Sequence, residues 1–144
     1  MACPFFMPSA RVDSDQWLHA PRLTLIDEYR GTCHVSDPFE PEESAQRDVC
    51  NCGYAGGRCD RFPAGSADAV RFSVIGEQGP ALRILYVFEK DHFPARHAVA
   101  EPGAEIADPV LAAQIRAFAE SYRQSLRGGE NVSMAVESSS ASAE

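Results

Sequence analysis

Three cysteines within ten residues constrain this chain more than any other feature of its sequence. Cys50, Cys52 and Cys59 lie in the stretch CNCGYAGGRCDRFP, and Cys3 and Cys33 precede it. An odd number of cysteines cannot close into a full set of disulfides. The N-terminus lacks the basic segment and apolar run of a secretory signal. The cysteines are therefore predicted to stay reduced in the cytoplasm, where they suit metal binding or redox chemistry.

The composition indicates a small acidic protein. A length of 144 residues allows one modest domain, and a formal net charge of -8 argues against nonspecific nucleic-acid binding. No stretch approaches the roughly 20 apolar residues that a membrane-spanning helix needs. Neither nucleic acid nor a membrane is therefore expected as a partner. The acidic surface instead favours a redox or regulatory protein partner with a basic surface.

A single metal-binding domain is predicted over residues 1–127. Its first part, residues 1–65, holds every cysteine and is predicted to be loop-rich, with short helices at residues 13–20 and 41–50. Its second part, residues 66–127, is predicted to be a hairpin plus a helix. Residues 128–144 are small, polar and acidic, which is typical of a disordered tail.

The second part has the clearer patterns. Alternation over residues 69–76 and the apolar run over residues 82–88 predict a β-hairpin, and residues around 23–26 are a candidate third strand. Residues 108–127 predict an amphipathic helix that Asp108 caps and Gly128 ends. Its apolar stripe consists of Leu111, Ile115, Phe118, Tyr122 and Leu126. The predicted fold class is α+β, with the hairpin packed on this C-terminal helix.

Four of the cysteines form a candidate ligand set. Cys3, Cys33, Cys50 and Cys59 follow the spacing C-x29-C-x16-C-x8-C, with Cys52 as the substitute ligand for Cys50. Four thiolates are a full ligand set for a structural zinc ion or a [4Fe–4S] cluster. The spacing lacks the C-x2-C pairs of zinc fingers, so a metal would join segments far apart in sequence. Two alternatives are ordinary buried cysteines and a redox dithiol.

The neighbouring residues suit a metal centre. Four arginines near the cysteines are candidates to offset the negative charge of bound thiolates; they are Arg30, Arg47, Arg58 and Arg61. Five aromatic residues are candidates for a dry shell; they are Phe5, Phe6, Tyr29, Tyr54 and Phe62. His34 adjoins Cys33 as a substitute ligand or a hydrogen-bond partner of one.

These motifs give the chain a resemblance to a group of small uncharacterised bacterial cysteine-rich proteins. The matching motifs are C-P-F-F-x-P at residues 3–8, Y-x-G-x-C at residues 29–33 and C-N-x-G-Y-x4-C-x-R-F-P at residues 50–63. More distantly, the chain resembles iron–sulfur proteins whose cluster is held by four scattered cysteines. That resemblance implies that Cys50 is a ligand and that Cys52 occupies a variable position.

Three functional hypotheses follow from the sequence. The first is a [4Fe–4S] protein for electron transfer or redox sensing, and the second is a binding or adaptor module with a structural four-cysteine zinc site. The third is an enzyme that uses His92 or His97, which follow the second strand in DHFPARH. A polar loop is the simpler interpretation of that segment, so no catalytic residue is assigned.

Overall fold

The computed structural model describes residues 2–12, 25 and 27–143, with side chains as far as Leu126. Within these residues the chain is a mixed α+β fold with a two-stranded and a three-stranded antiparallel sheet. The strands are β1 (Phe6–Arg11), β2 (Tyr29–Cys33), β3 (Ala69–Gln78), β4 (Ala81–Lys90) and β5 (Phe93–Ala100). The helices are α1 (Glu43–Ala45), which continues as a π-helical turn (Gln46–Cys50), and α2 (Pro109–Ala143).

The predicted hairpin is confirmed, and its strands are longer than the pattern indicated. β3 pairs with β4 through Val70 opposite Phe88 and Phe72 opposite Tyr86. Val70 and Phe72 are buried, while Arg71 between them is exposed. This alternation places one face of the sheet in the core, as period-two patterning requires.

The third strand of this sheet differs from the expected one. β5 pairs with β4 at residues 93–100, where a polar loop was the preferred interpretation. Asp91 (φ 52°) and His92 (φ 68°) both adopt left-handed conformations, which is the backbone of a two-residue type I′ hairpin turn. Sequence reasoning missed this turn because the usual glycine signal is absent.

The candidate strand around residues 23–26 falls mostly outside the described residues. Leu25 lies in a turn, and residues 23, 24 and 26 are not described.

Helix α2 covers the inner face of the three-stranded sheet. Asp108 caps it, since its Oδ1 accepts a hydrogen bond from the Val110 N–H at 2.9 Å. The Phe118 ring lies 5.5 Å from the Phe72 ring, between centroids. Most of the predicted apolar stripe packs on the core, but Leu126 is 44% exposed. The helix was predicted to end at Gly128, but α2 continues through this glycine to Ala143, so that boundary is wrong. The disordered tail stays a prediction, and the helix predicted at residues 13–20 lies outside the described residues.

The tyrosine hydroxyl of β2 links this strand to α2. Tyr29 Oη lies 3.0 Å from the Ala117 carbonyl and 2.6 Å from the Ser121 hydroxyl, and both contacts are buried. We expect Tyr29→Phe to lower the free energy of unfolding by about 1–2 kcal/mol, because buried polar groups lose their partner. Urea unfolding would measure this change. Tyr122→Phe is the control, because its hydroxyl has no hydrogen bond among the described residues, and we expect less than about 0.5 kcal/mol. Equal losses in the two variants would contradict this assignment.

The N-terminal half contains more regular structure than predicted. β1 and β2 form an antiparallel pair where loops were expected, and Ala2 forms a bridge with Val70 at the edge of the larger sheet. The sequence missed this pair because its strands are short and Pro8 interrupts the first. Gly31 permits the pairing, since a Cβ there would lie 2.0 Å from the Met7 carbonyl oxygen. The helix predicted at residues 41–50 is confirmed, although it begins at Glu43 and ends in the π-helical turn.

Two side-chain amides occupy the edge of β2 that β1 leaves open. Asn51 accepts a hydrogen bond from the Tyr29 N–H at 3.0 Å and donates one to the Tyr29 carbonyl at 2.9 Å. Gln46 accepts a hydrogen bond from the Gly31 N–H at 3.0 Å. Buried backbone N–H and carbonyl groups need hydrogen-bond partners. On this edge of β2 the two carboxamides supply the hydrogen bonds that a neighbouring strand would otherwise supply. Strand β2 is thereby joined to the π-helical turn.

Candidate metal centre

Four cysteines line one cavity of about 390 Å³. They are Cys3, Cys33, Cys50 and Cys59, the four residues of the candidate ligand set. Apolar side chains form much of the remaining wall, including Phe6, Val35, Phe39, Val49 and Phe62. All four cysteines are free thiols. The fold therefore brings together four sulfur donors from four segments that lie far apart in sequence.

Cys3 is held from two sides. Its backbone N–H donates a hydrogen bond to the Cys50 carbonyl at 3.0 Å. Its carbonyl accepts one from Gln114 Nε2 on α2 at 2.9 Å, and the same nitrogen donates to the Phe6 carbonyl at 2.7 Å. Gln114 is fully buried, and its Oε1 has no hydrogen-bond partner among the described residues. The segment before β1 is thus fixed between the π-helical turn and helix α2.

Cys33 lies at the end of β2, where the chain bridges to Phe39. The Cys33 N–H donates to the Phe39 carbonyl at 2.8 Å, and the Phe39 N–H donates back at 3.2 Å. Tyr29 and Gly31, on the same edge of β2, are bound by the carboxamides of Asn51 and Gln46. Cys33 is therefore the third residue along this edge whose backbone is hydrogen-bonded. The backbone of Cys33 is therefore bound on the side that faces the loop containing Phe39.

Cys50 and Cys59 flank a loop with several left-handed residues. Cys50 ends the π-helical turn, and the Cys59 N–H donates to the Ala55 carbonyl at 2.7 Å. Gly53 (φ 78°) and Tyr54 (φ 54°) reverse the chain after Cys50. Tyr54 is held in this uncommon conformation because its hydroxyl donates to Glu89 at 2.9 Å and accepts from the His92 N–H at 2.9 Å.

Burial and mutual proximity keep two of the thiols protonated. Burial raises the pKa of Cys3 to about 11, with further contributions from Cys33 and Cys59. Burial also raises the pKa of Cys50 to about 12, followed by the effects of Cys3, Cys33 and Cys59. Each thiolate disfavours the others because like charges in a cavity repel. A bound cation would reverse this repulsion, since metal binding requires deprotonated thiols.

The four thiols share a cavity but are not arranged as a closed ligand set. Among the described residues, no group of three or more His, Cys, Asp or Glu side chains forms an arrangement that could hold a metal ion. A tetrahedral zinc site, with Zn–S bonds of about 2.3 Å, draws its sulfurs to within about 4 Å of one another. The donor set fits a thiolate-bound metal group in its chemistry, and the four cysteines share a cavity.

Cys52 lies apart from this set. It does not line the cavity, and its thiol donates to the Arg47 carbonyl with a sulfur–oxygen distance of 3.6 Å. It is half-buried, and burial raises the pKa of its thiol. Of these two neighbouring cysteines, Cys50 lines the cavity and Cys52 does not.

The arginines named from the sequence divide into two pairs. Arg58 and Arg61 line the cavity, where Arg58 donates to the Asp48 carbonyl at 2.6 Å and Arg61 stacks on the Phe39 ring at 3.9 Å. Arg30 forms an ion pair with Glu43, and Arg47 forms one with Asp48, and neither arginine lines the cavity. Local compensation of thiolate charge thus depends on the first pair.

The aromatic shell is also smaller than expected. Phe6 and Phe62 line the cavity, and Phe5 packs edge-on against Phe62 at 5.8 Å between ring centroids. Tyr29 instead bonds to α2, and Tyr54 bonds to Glu89. Neither tyrosine lines the cavity.

The three histidines in the described part of the chain, His34, His92 and His97, lie outside the cavity. His34 Nε2 shares a hydrogen bond with the Thr32 hydroxyl at 2.9 Å. His92 stacks on the Tyr54 ring at 4.4 Å, and His97 is an exposed residue of β5. These positions give no support to a histidine that acts at the cysteine cavity.

Sequence reasoning missed the buried amides around the site. Gln46, Asn51 and Gln114 each bond to the backbone of a segment that positions a cysteine. Asn51 lies between two cysteines in the sequence, which is the one signal that could have singled it out. Gln46 and Gln114 resemble ordinary helical polar residues until their burial is known.

No described helix of the chain is long and apolar enough to cross a membrane. Comparison with known protein families, with curated proteins and with solved structures gives no match for this chain. The candidate function therefore rests on the cysteine cavity and its surroundings.

Proposed function

We propose that this chain is a small acidic iron–sulfur protein that works in electron transfer or redox sensing. Cys3, Cys33, Cys50 and Cys59 would hold a [4Fe–4S] cluster, which supplies one-electron redox chemistry when bound. The observation that carries the proposal is the convergence of four free thiols on one largely apolar cavity. The resemblance of the cysteine motifs to four-cysteine iron–sulfur proteins supports the same ligand set.

The cavity, with a volume of about 390 Å³, has room for a cluster as well as for a single ion. The apolar part of the wall, which includes Phe6, Val49 and Phe62, would limit the access of water to a cluster and so influence its reduction potential.

The surroundings support a protein partner in a reducing compartment. Five unpaired thiols suit the cytoplasm, where disulfides are rare. The net charge of -8 favours a redox or regulatory partner with a basic surface, because opposite charges accelerate encounter.

A second candidate is a binding or adaptor module with a structural zinc ion. The four cysteines lie on separate segments that contain short strands and a short helix, and a metal that tied these segments together would contribute directly to folding. This observation applies to either metal group, so composition has to distinguish them.

Metal analysis of protein purified without oxygen tests the proposal. We expect about four irons and four acid-labile sulfides per chain, with a broad brown absorbance that dithionite bleaches. One zinc ion per chain and no colour would replace the iron–sulfur proposal by the adaptor module. Protein that binds neither metal would contradict both.

A further inference from the structure

The strand that carries Cys33 and the turn that carries Cys50 are joined by side chains. Cys33 ends β2, and Cys50 ends the π-helical turn. Asn51 follows Cys50 directly and reaches across to Tyr29, four residues before Cys33. The relative position of two of the four thiols therefore depends on how this carboxamide is bound.

Both polar atoms of the Asn51 carboxamide are hydrogen-bonded. Its Oδ1 accepts from the Tyr29 N–H at 3.0 Å, and its Nδ2 donates to the Tyr29 and Gln46 carbonyls at 2.9 and 2.8 Å. The residue is 1% exposed, so water cannot replace these bonds. Moving the side chain would leave buried donors and acceptors without partners, which costs about 1–3 kcal/mol each.

Gln46 binds the next residue along the same edge of β2, two positions after Tyr29. Its Oε1 accepts from the Gly31 N–H at 3.0 Å, and its Nε2 donates to the Pro41 carbonyl at 2.7 Å. It is also 1% exposed. The two amides thus bind residues 29 and 31 of β2 and set the register in which Cys33 follows.

We infer that Asn51, assisted by Gln46, is a positioning residue that sets the separation of the Cys33 and Cys50 sulfurs and so controls how tightly the four-thiol site retains its metal. This inference rests on the proposed function. Asn51 does not line the cavity, so it acts only through the backbone of its neighbours. Residues that orient metal ligands in this way typically change metal affinity about 10–100-fold when replaced.

Metal release from the loaded protein tests this role. Asn51→Ala removes the carboxamide, and Asn51→Asp keeps its size but turns an oxygen toward the two carbonyls that Nδ2 contacts. We expect both variants to lose metal to an excess of chelator at least about tenfold faster than the wild-type protein. Release is followed by absorbance under anaerobic conditions.

Tyr29→Phe is the matched control. It removes the contacts of the same residue with α2 and leaves the backbone bonds between Tyr29 and Asn51 in place. Release is compared at temperatures equally far below each variant's unfolding midpoint, which removes the effect of general destabilisation. We expect the control to release metal less than about twofold faster than the wild-type protein, far below the tenfold effect expected at Asn51.

The outcomes separate this inference from the proposed function. Wild-type protein without any metal contradicts the proposed function and this inference together. Metal-loaded wild-type protein whose Asn51 variants release metal no faster than Tyr29→Phe contradicts this inference alone. If the wild-type metal is zinc, the same comparison is made with zinc release. If neither Asn51 variant folds, Gln46→Glu carries the test, and release at the wild-type rate overturns the inference.

Discussion

Cys50→Ser is expected to abolish metal binding, whereas Cys52→Ser is expected to retain it. The Cys50 thiol lines the cavity together with Cys3, Cys33 and Cys59, and the Cys52 thiol bonds to the Arg47 carbonyl outside it. A site left with three thiolates loses one of its four metal–sulfur bonds and gains a poor hydroxyl donor. We expect Cys50→Ser to retain less than about a tenth of the wild-type metal content. Replacing a residue that only orients a ligand lowers metal affinity about 10–100-fold, and losing a ligand itself should lower it further.

Both serine variants are purified in parallel without oxygen, and metal per chain is measured for each. The pair is well matched, because the two cysteines lie two positions apart and both are half-buried. The reverse pattern, with metal lost only from Cys52→Ser, would show that the π-helical turn presents the other thiol. Retention of metal in both variants would remove Cys50 from the ligand set.

Gly31→Ala is expected to destabilise the protein by about 3 kcal/mol or more, at the upper end of overpacking effects. A Cβ at this position would lie 2.0 Å from the Met7 carbonyl oxygen and 2.9 Å from Pro8 Cα. Both atoms belong to the backbone of β1, so no side-chain rotation relieves the clash. The strands would have to separate, and the segments that hold Cys3 and Cys33 would move with them.

Gly56→Ala is the control for this substitution. Its Cβ would meet the Phe62 ring at 3.7 Å, which is ordinary van der Waals contact. We expect a change below about 0.5 kcal/mol there. Urea unfolding of both variants measures the difference, and metal content shows whether the site is lost with the fold. A Gly31→Ala protein as stable as Gly56→Ala would mean that β1 and β2 do not pair as described.

The β3–β4 hairpin and helix α2 could be predicted from the sequence because the residue patterns that indicate them are local. Alternation through Val70 and Phe72 needs only a period of two, and Asp108 followed by Pro109 needs only the preferences of a helix start. β5 was not accessible in the same way. Its turn uses two left-handed residues, and neither Asp91 nor His92 is a glycine. Contacts with Tyr54 and Asp68 support that turn, and these come from a distant loop.

The sequence by itself determined that a cysteine-rich segment precedes a hairpin and a helix, and that four of five cysteines form a candidate ligand set. Only the tertiary structure decided which thiols share a cavity. The choice between Cys50 and Cys52 depends on the π-helical turn and on the buried carboxamides of Gln46 and Asn51. Those bonds join residues 15 to 22 positions apart, and local propensity does not contain the energy of contacts that form only when distant segments pack.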